Sequence, residues 1–323
     1  MNLDMQKYVM FLKPYISETI WGGRKLIKDY NISTDKANAA EAWMLSAHSD
    51  GPGTIINGCF AGQTFDRIVN NNPSLLGKHA KTFSRFPILI KFIDAMDNLS
   101  IQVHPTDEYC KKTNKGESKT ECWYIIDCDE GAGLYLGFKG AISPEEFKKA
   151  IENNTLEERI EFIPVKKGDF FFIESGTLHA ICKGILLAEV QESSNTTYRI
   201  YDYGRLGKDG KPRQLHIDDA VNVTSLVKFN QPSYARHDTN YTPGKNLLAK
   251  SDYFTVSLCI INDYFTGFAN ELSFVSLLVI DGEGSLECLN EKYNLKKGDS
   301  IFIPAGSGEF KITGKLQILE TEI

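Results

Sequence analysis

Gly168-Asp-Phe-Phe-Phe-Ile-Glu-Ser-Gly-Thr-Leu-His-Ala-Ile181 decides the fold, because the chain carries it twice. It aligns without gaps on Gly298-Asp-Ser-Ile-Phe-Ile-Pro-Ala-Gly-Ser-Gly-Glu-Phe-Lys311, and two lysines precede each copy, Lys166-Lys167 and Lys296-Lys297. Each copy reads as turn, strand, turn, strand: a glycine opens it, an aromatic and β-branched run follows, and a second glycine turns the chain. A repeated unit of this kind implies a repeated architecture.

Outward from the repeat, short strand-like runs broken by Gly, Pro, Asn and Asp dominate. They include Pro87-Ile-Leu-Ile-Lys-Phe-Ile93, Ile185-Leu-Leu-Ala-Glu-Val-Gln191 and Phe274-Val-Ser-Leu-Leu-Val-Ile280. Their density predicts a mainly β protein, as a sandwich or a barrel. Helical signals are few. Ser143-Pro144-Glu145-Glu146 supplies an N-cap, a first-turn proline and acidic residues, predicting a helix over 144–153. A helical patch over Thr64 to Val69 and Ser74 to Lys81 is expected to form a small cap beside the first barrel. The acidic run Asp127-Cys-Asp-Glu130 reads as a hairpin turn. The expected domains are 1–244 and 245–323.

The two copies differ where it matters chemically. Glu309 stands in the second copy where His179 stands in the first, and no His-containing partner strand precedes it. In the first half, Gln102 and His104 are spaced i, i+2 in Leu99-Ser-Ile-Gln-Val-His-Pro105, which puts both side chains on one strand face. Glu121 opens the tract that reads as the next strand. Gln102, His104, Glu121 and His179 are therefore positioned for a barrel to close around one divalent metal. Two neutral imidazoles, a carboxylate and an amide oxygen suit Zn2+, one per chain and in the first barrel only. The second barrel is expected to be metal-free.

Length and charge bound the function. At 323 residues the chain can bury a sizeable core without staples. A formal net charge of -6 and the lack of any Lys/Arg-dense block argue against nucleic acid or an anionic membrane as partner. Seven scattered cysteines without a Cys-x-x-Cys pair predict free thiols in a reducing compartment. With no signal-like N-terminus and no long apolar span, a cytoplasmic protein is expected, as monomer or homodimer. His48, His79, His216 and His237 have no partnered spacing and are assigned structural roles.

The repeat resembles the second motif of the cupin superfamily, with Glu174 replacing its proline in the first copy and Pro304 keeping it in the second, and that resemblance implies two cupin-like β-barrels of jelly-roll type. Leu99-Ser-Ile-Gln-Val-His-Pro105, Lys119-Thr-Glu-Cys-Trp-Tyr124, Gly176-Thr-Leu-His-Ala180 and Thr197-Tyr-Arg-Ile-Tyr-Asp202 resemble signature blocks of type I mannose-6-phosphate isomerases in their short bacterial form. Trp21-Gly-Gly23 and Glu41-Ala-Trp-Met-Leu-Ser46 fit as well. The resemblance implies a zinc enzyme interconverting mannose 6-phosphate and fructose 6-phosphate, with the four residues above as ligands. It places Lys119 and Arg199 in a sugar-phosphate pocket, with Ser100 offering a hydroxyl to phosphate and Lys91 a further candidate.

An aldose–ketose isomerase moves a proton between C1 and C2 through an enediol(ate), so it needs charge stabilisation at oxygen and a group that shuttles the proton. Glu189, on an apparently buried strand ten residues before Arg199, is a candidate base if burial raises its pKa. Relatives commonly carry Asp four residues before the arginine; Asn195 stands there, and Asn does not exchange protons at neutral pH. Glu189, Lys119 and a metal-bound water remain open for that role. Two other functions share the site: an iron cupin oxygenase, and a sugar-phosphate sensor or binding protein without turnover.

Overall fold

Strand Ile88–Ala95 is buried along its whole length, which a strand achieves only with packing on both faces. Its pleat sends Ile88, Ile90 and Phe92 into one core and Ile93 and Ala95 into another. This strand sits inside a six-stranded sheet in the order Phe170–Ile173, Glu121–Cys128, Ile185–Glu192, Ile88–Ala95, Glu41–Leu45, Tyr15–Ser17. A five-stranded sheet, Tyr198–Tyr201, Ile101–Val103, His179–Ile181, Gly133–Phe138, Ile160–Pro164, faces one side of it. Trp123, Ile125, Phe171 and Leu187 from the first sheet pack with Leu134, Leu136 and Ile181 from the second. The computed structural model from which this architecture is taken describes residues 7–207, 209–230 and 240–323.

On its other side the six-stranded sheet packs Tyr124, Phe170 and Ala188 against Leu258, Phe274, Leu278 and Phe302. Those four belong to or adjoin a nine-stranded sheet built mainly from residues 244–322, which carries its own core around Leu277, Leu286, Phe310 and Ile312. Strand Met10–Lys13 joins this sheet by pairing with Ser300–Ile303, so the N-terminal end of the described chain is stitched to the C-terminal unit. The protein is mainly β.

Both copies of the repeat fold as read. Phe170–Ile173 and Ser300–Ile303 are the first strands, His179–Ile181 and Gly308–Glu322 the second. Gly168 and Gly298 sit at φ +91° and +90°, and Gly176 and Gly306 at +86° and +72°. The left-handed backbone at equivalent places explains why the glycines repeat.

The helix of the second signal spans Pro144–Glu152, closed by a capping box in which Ser143 Oγ accepts the Glu146 N–H (3.2 Å) and Glu146 Oε2 accepts the Ser143 N–H (2.9 Å). With helix Ile217–Val223 it covers the outer face of the five-stranded sheet through Phe147, Ile151, Ala220 and Val223. The cap is less regular than its periodicity suggests. Phe65–Asn71 is α-helical, but Pro73–Leu76 and His79–Thr82 are separate 3-10 turns. Gly77, at φ +88° and with room for no Cβ beneath the Leu272 carbonyl, breaks them apart. The acidic run turns two residues later than read, the strand continuing to Cys128.

All seven cysteines are free thiols. Among the described residues no helix is long and apolar enough to cross a membrane.

Candidate functional site

Two rows of cross-strand neighbours face each other between the six- and five-stranded sheets. Residues opposite one another in antiparallel strands share a face, and Gln102 is opposite both His179 on one side and Arg199 on the other. That register lines up His179, Gln102 and Arg199 across three strands. On the facing sheet Glu189 is opposite both Lys91 and Trp123, and Lys91 is opposite Trp43. Glu121 lies two residues before Trp123, on the same face.

His104, Glu121 and His179 are buried and offer ligand atoms within 4.8 Å of one another. They form the one His/Cys/Asp/Glu group of this kind among the described residues. Nε2 of His104 lies 3.5 Å from Glu121 Oε2, and Nε2 of His179 lies 3.4 Å from Glu121 Oε1. Each imidazole turns Nδ1 to a backbone carbonyl at 2.9 Å, Thr196 O for His104 and Thr177 O for His179. A carbonyl only accepts, so each Nδ1 carries the proton and each Nε2 presents a bare lone pair. Burial drives both imidazoles to the neutral form: His179 falls to about 4, His104 well below its ordinary value.

The donor set fits a divalent cation by its own demands. Among the described residues, Nε2 of His104 and Oε1 of Glu121 are buried with no hydrogen-bond partner, and Glu121 Oε2 has only the ammonium of Lys119 at 2.8 Å. Lone pairs buried together without donors are costly unless a cation meets them. Gln102 completes the group, its side-chain amide 3.3 Å from His179 Nε2. Rotating that amide end for end aims the oxygen inward, giving two nitrogens and two oxygens.

A cavity of about 320 Å3 opens beside this group, lined by Gln102, Ser100, Lys91, Lys119, Glu189 and Arg199, with Trp21, Glu41, Asn195 and Arg213 among its other walls. The site residues read from sequence therefore converge on one place: three of the candidate ligands form the buried group, Gln102 touches both group and cavity, and all five pocket candidates line the cavity. Lys119 is 5% exposed, so its ammonium is a buried charge of the site and not a solvated surface one.

Glu189 corrects the expectation attached to it. Burial alone would raise its carboxyl, but the charges of Lys119 and Lys91, with hydrogen bonds from Trp123 and Lys91, outweigh burial and hold it at about 2. Lys91 Nζ stands 3.1 Å from it, Lys119 Nζ 4.0 Å, and Trp123 Nε1 donates at 2.9 Å. An ionised carboxylate so held is a weak base. Glu121 goes the other way: burial raises it, Lys119 lowers it, Glu189 raises it again, and it comes to about 7.

Sequence reading missed the supports. Trp123 was within reach, two residues from Glu121 on the same face. Glu41, 3.7 Å from Lys91, opens a block that resembles the family but carries no site role in that reading, and Arg213 carries no local pattern that points to a site. His216 holds backbone in place, its Nδ1 accepting the backbone N–H of Arg199 at 3.2 Å. His48 accepts the Asp50 N–H and packs edge-on against Trp43, and His79 contacts the Ile323 carbonyl. His237 lies outside the described residues.

An antiparallel β protein with a repeated glycine-framed hairpin and one buried His–Glu–His group beside a cationic cavity belongs to the cupin class. The family model described as phosphomannose isomerase type I, catalytic domain, matches residues 9–129, and that described as mannose-6-phosphate isomerase, cupin domain, matches residues 245–322. The mannose-6-phosphate isomerase ManA of Bacillus subtilis is 36% identical over 315 residues, 97% of this chain and 98% of that protein. The mannose-6-phosphate isomerase of Streptococcus mutans is 34% identical, covering 96% of each. The crystal structure of the Bacillus subtilis mannose 6-phosphate isomerase superimposes with a TM-score of 0.89 at 36% identity, over 98% of this chain and 100% of that one. A putative mannosephosphate isomerase from Archaeoglobus fulgidus shares the fold, with a TM-score of 0.79 at 20% identity over 99% of each chain. The chain belongs to the type I mannose-6-phosphate isomerase family, whose members are aldose–ketose isomerases.

Proposed function

We propose that this protein interconverts D-mannose 6-phosphate and D-fructose 6-phosphate by proton transfer between C1 and C2 through an enediol(ate). The observation that carries the reading is the buried His104–Glu121–His179 group, with donorless lone pairs, opening onto a cavity of sugar-phosphate size walled by Lys91, Lys119 and Arg199. His104, Glu121, His179 and Gln102 would hold one Zn2+. When bound it supplies Lewis acidity at the sugar oxygens and holds Glu121 as a carboxylate.

The remaining work falls to the chain itself. Lys119, anchored between Glu121 and Glu189, aims an ammonium into the cavity where it can donate to the developing oxyanion. Arg199, opposite Gln102, presents a planar guanidinium suited to a phosphate or enediolate oxygen. Ser100, beside the strand that carries Gln102, offers a hydroxyl, and Lys91 adds positive charge from the opposite wall. We assign Glu189 to positioning: it fixes Lys91 and Lys119 rather than abstracting the proton. Asn195, on the cavity wall, donates its amide to Asp50 Oδ2 at 2.8 Å and offers no exchangeable proton to the reaction. We further infer two cupin barrels, in units 1–244 and 245–323, with the metal site in the first and strand Met10–Lys13 lent to the second.

A coupled assay following fructose 6-phosphate formed from mannose 6-phosphate, with metal analysis of the purified protein, tests the reading. Turnover that vanishes on chelation and returns with zinc supports it. Turnover intact after exhaustive chelation refutes the metal's part, and its absence in the zinc-loaded protein refutes the function.

A further inference from the structure

The wall of the cavity opposite Lys91 holds an arginine that neither the strand pattern nor the family blocks single out. Arg213 reaches it from the segment after Tyr201 and lines it together with Arg199, while Arg205 stands behind them on the same Asp202 as Arg213. Asp202 serves two of them. Its Oδ2 accepts Arg213 Nε at 2.6 Å, and its Oδ1 accepts both Arg213 Nη2 and Arg205 Nη2. Arg205 is further satisfied by Asp97 and the Asn98 carbonyl.

Arg199 is not satisfied. Nη1 donates to the Gln214 carbonyl at 2.9 Å, its Nε is buried without a partner, and among the described residues no carboxylate pairs with it. Arg213 has spent Nε and Nη2 on Asp202, leaving Nη1 with no partner among the described residues. The two guanidiniums are held as one unit. The His216 N–H donates to the Arg199 carbonyl at 2.7 Å and the Arg199 N–H donates to His216 Nδ1, so the segment carrying Arg213 is buttoned to the strand carrying Arg199. Arg213 is close enough that its charge, after burial, helps lower the Arg199 guanidinium from its ordinary value. Cations packed against one another without enough carboxylates await an anion.

We propose that Arg213 and Arg199 together form a two-guanidinium clamp for the phosphate of the substrate, with Asp202 as the positioning residue that sets the Arg213 fork. This rests on the sugar-phosphate reading of the cavity. The clamp explains how a phosphorylated sugar is chosen over a free one: a dianion satisfies both forks, whereas a hydroxyl leaves two half-buried cations unmet.

The test measures KM and kcat for mannose 6-phosphate, and competitive inhibition by inorganic phosphate, in wild type, Arg213→Ala and Arg213→Gln. Inorganic phosphate is also titrated against the melting temperature of each. Loss of one charge-assisted contact to the phosphate should raise KM and the phosphate inhibition constant together by about tenfold to a hundredfold, with kcat within about threefold of wild type. Phosphate should raise the melting temperature of wild type and leave that of the variants unmoved. Should Arg213→Ala not fold, Arg213→Gln keeps a hydrogen-bond donor for Asp202 and reads the same quantities. An arginine that merely staples Asp202 would lower stability while KM and phosphate inhibition stayed at wild-type values, and that result overturns the clamp. If wild type turns over no mannose 6-phosphate, the functional reading fails; phosphate protection of wild type but not of Arg213→Gln would still establish the anion site.

Discussion

Glu189→Gln should destabilise the protein by about 3 kcal/mol at neutral pH, and the deficit should shrink in acid. The carboxyl is 3% exposed, and its ordinary value of 4.5 is lowered to about 2 by the charges of Lys119 and Lys91. That lowering corresponds to folded-state stabilisation of the anion on the order of 3 kcal/mol. That agrees with the range of about 3–5 kcal/mol for breaking a buried ion pair by removing one partner. The sign follows from the depressed folded-state pKa. The stabilisation is fully present above the unfolded value near 4.5 and is lost as pH falls from there toward 2; at pH 3.5 about 2 kcal/mol should remain. The assay is urea unfolding of wild type and variant at pH 7 and pH 3.5, with excess chelator in every sample so that metal release does not enter. A variant as stable as wild type at pH 7, or a deficit as large at pH 3.5 as at pH 7, would refute the claim that Glu189 is an ionised anchor between two ammoniums.

Other expectations follow from single residues. His104→Ala should abolish zinc retention and turnover together, while Arg199→Ala should keep zinc and lose at least tenfold in kcat/KM; metal analysis beside the coupled assay separates them. Gly176→Ala forces a side chain to φ +86° with its Cβ 3.1 Å from the Val223 carbonyl. It should cost about 1–2 kcal/mol in unfolding and, by shifting the turn before His179, weaken zinc retention on dialysis. Ser143→Ala removes a cap far from the cavity, so thermal unfolding should report a loss of about 1 kcal/mol while kcat and KM stay unchanged.

Much of this was legible in the chain because the informative residues sit in strands, where period two fixes the face. Gln102 and His104 share a face by spacing alone, and the repeat at Gly168 and Gly298 carries its own turn chemistry. What strand spacing withholds is register. That Gln102 lies opposite both His179 and Arg199, and Glu189 opposite both Lys91 and Trp123, depends on pairings between segments up to about a hundred residues apart. The ionisation of Glu189 was misread for the same reason: burial is visible in a run of apolar neighbours, but the two ammoniums that reverse its effect arrive from other strands. Arg213 was invisible because it sits in an irregular segment with no periodicity. Its place is set by the reciprocal bonds of His216 with Arg199.

The same register distinguishes the two copies of the repeat, because among the described residues only the first contributes to a buried His–Glu–His group. From Glu41 through Lys91, Glu189 and Lys119 to Glu121, charges alternate in sign at 3.7, 3.1, 4.0 and 2.8 Å across the floor of the cavity. Three carboxylates against two ammoniums leave one negative charge, which falls on Glu121, the member with unmet lone pairs. A dication held there would turn that end positive and add to the charge of Arg199 and Arg213, which also line the cavity. Such an array needs neighbouring strands of one sheet that contribute charged residues at matched heights. In the second copy the residue in the place of His179 is Glu309, which is exposed and pairs across the strand with exposed Phe268, while the interior is filled by Leu277, Leu286, Phe310 and Ile312. An apolar interior packs without a cation and gives the nine-stranded sheet its own stability, which leaves the first copy free to bury charges at a cost in packing.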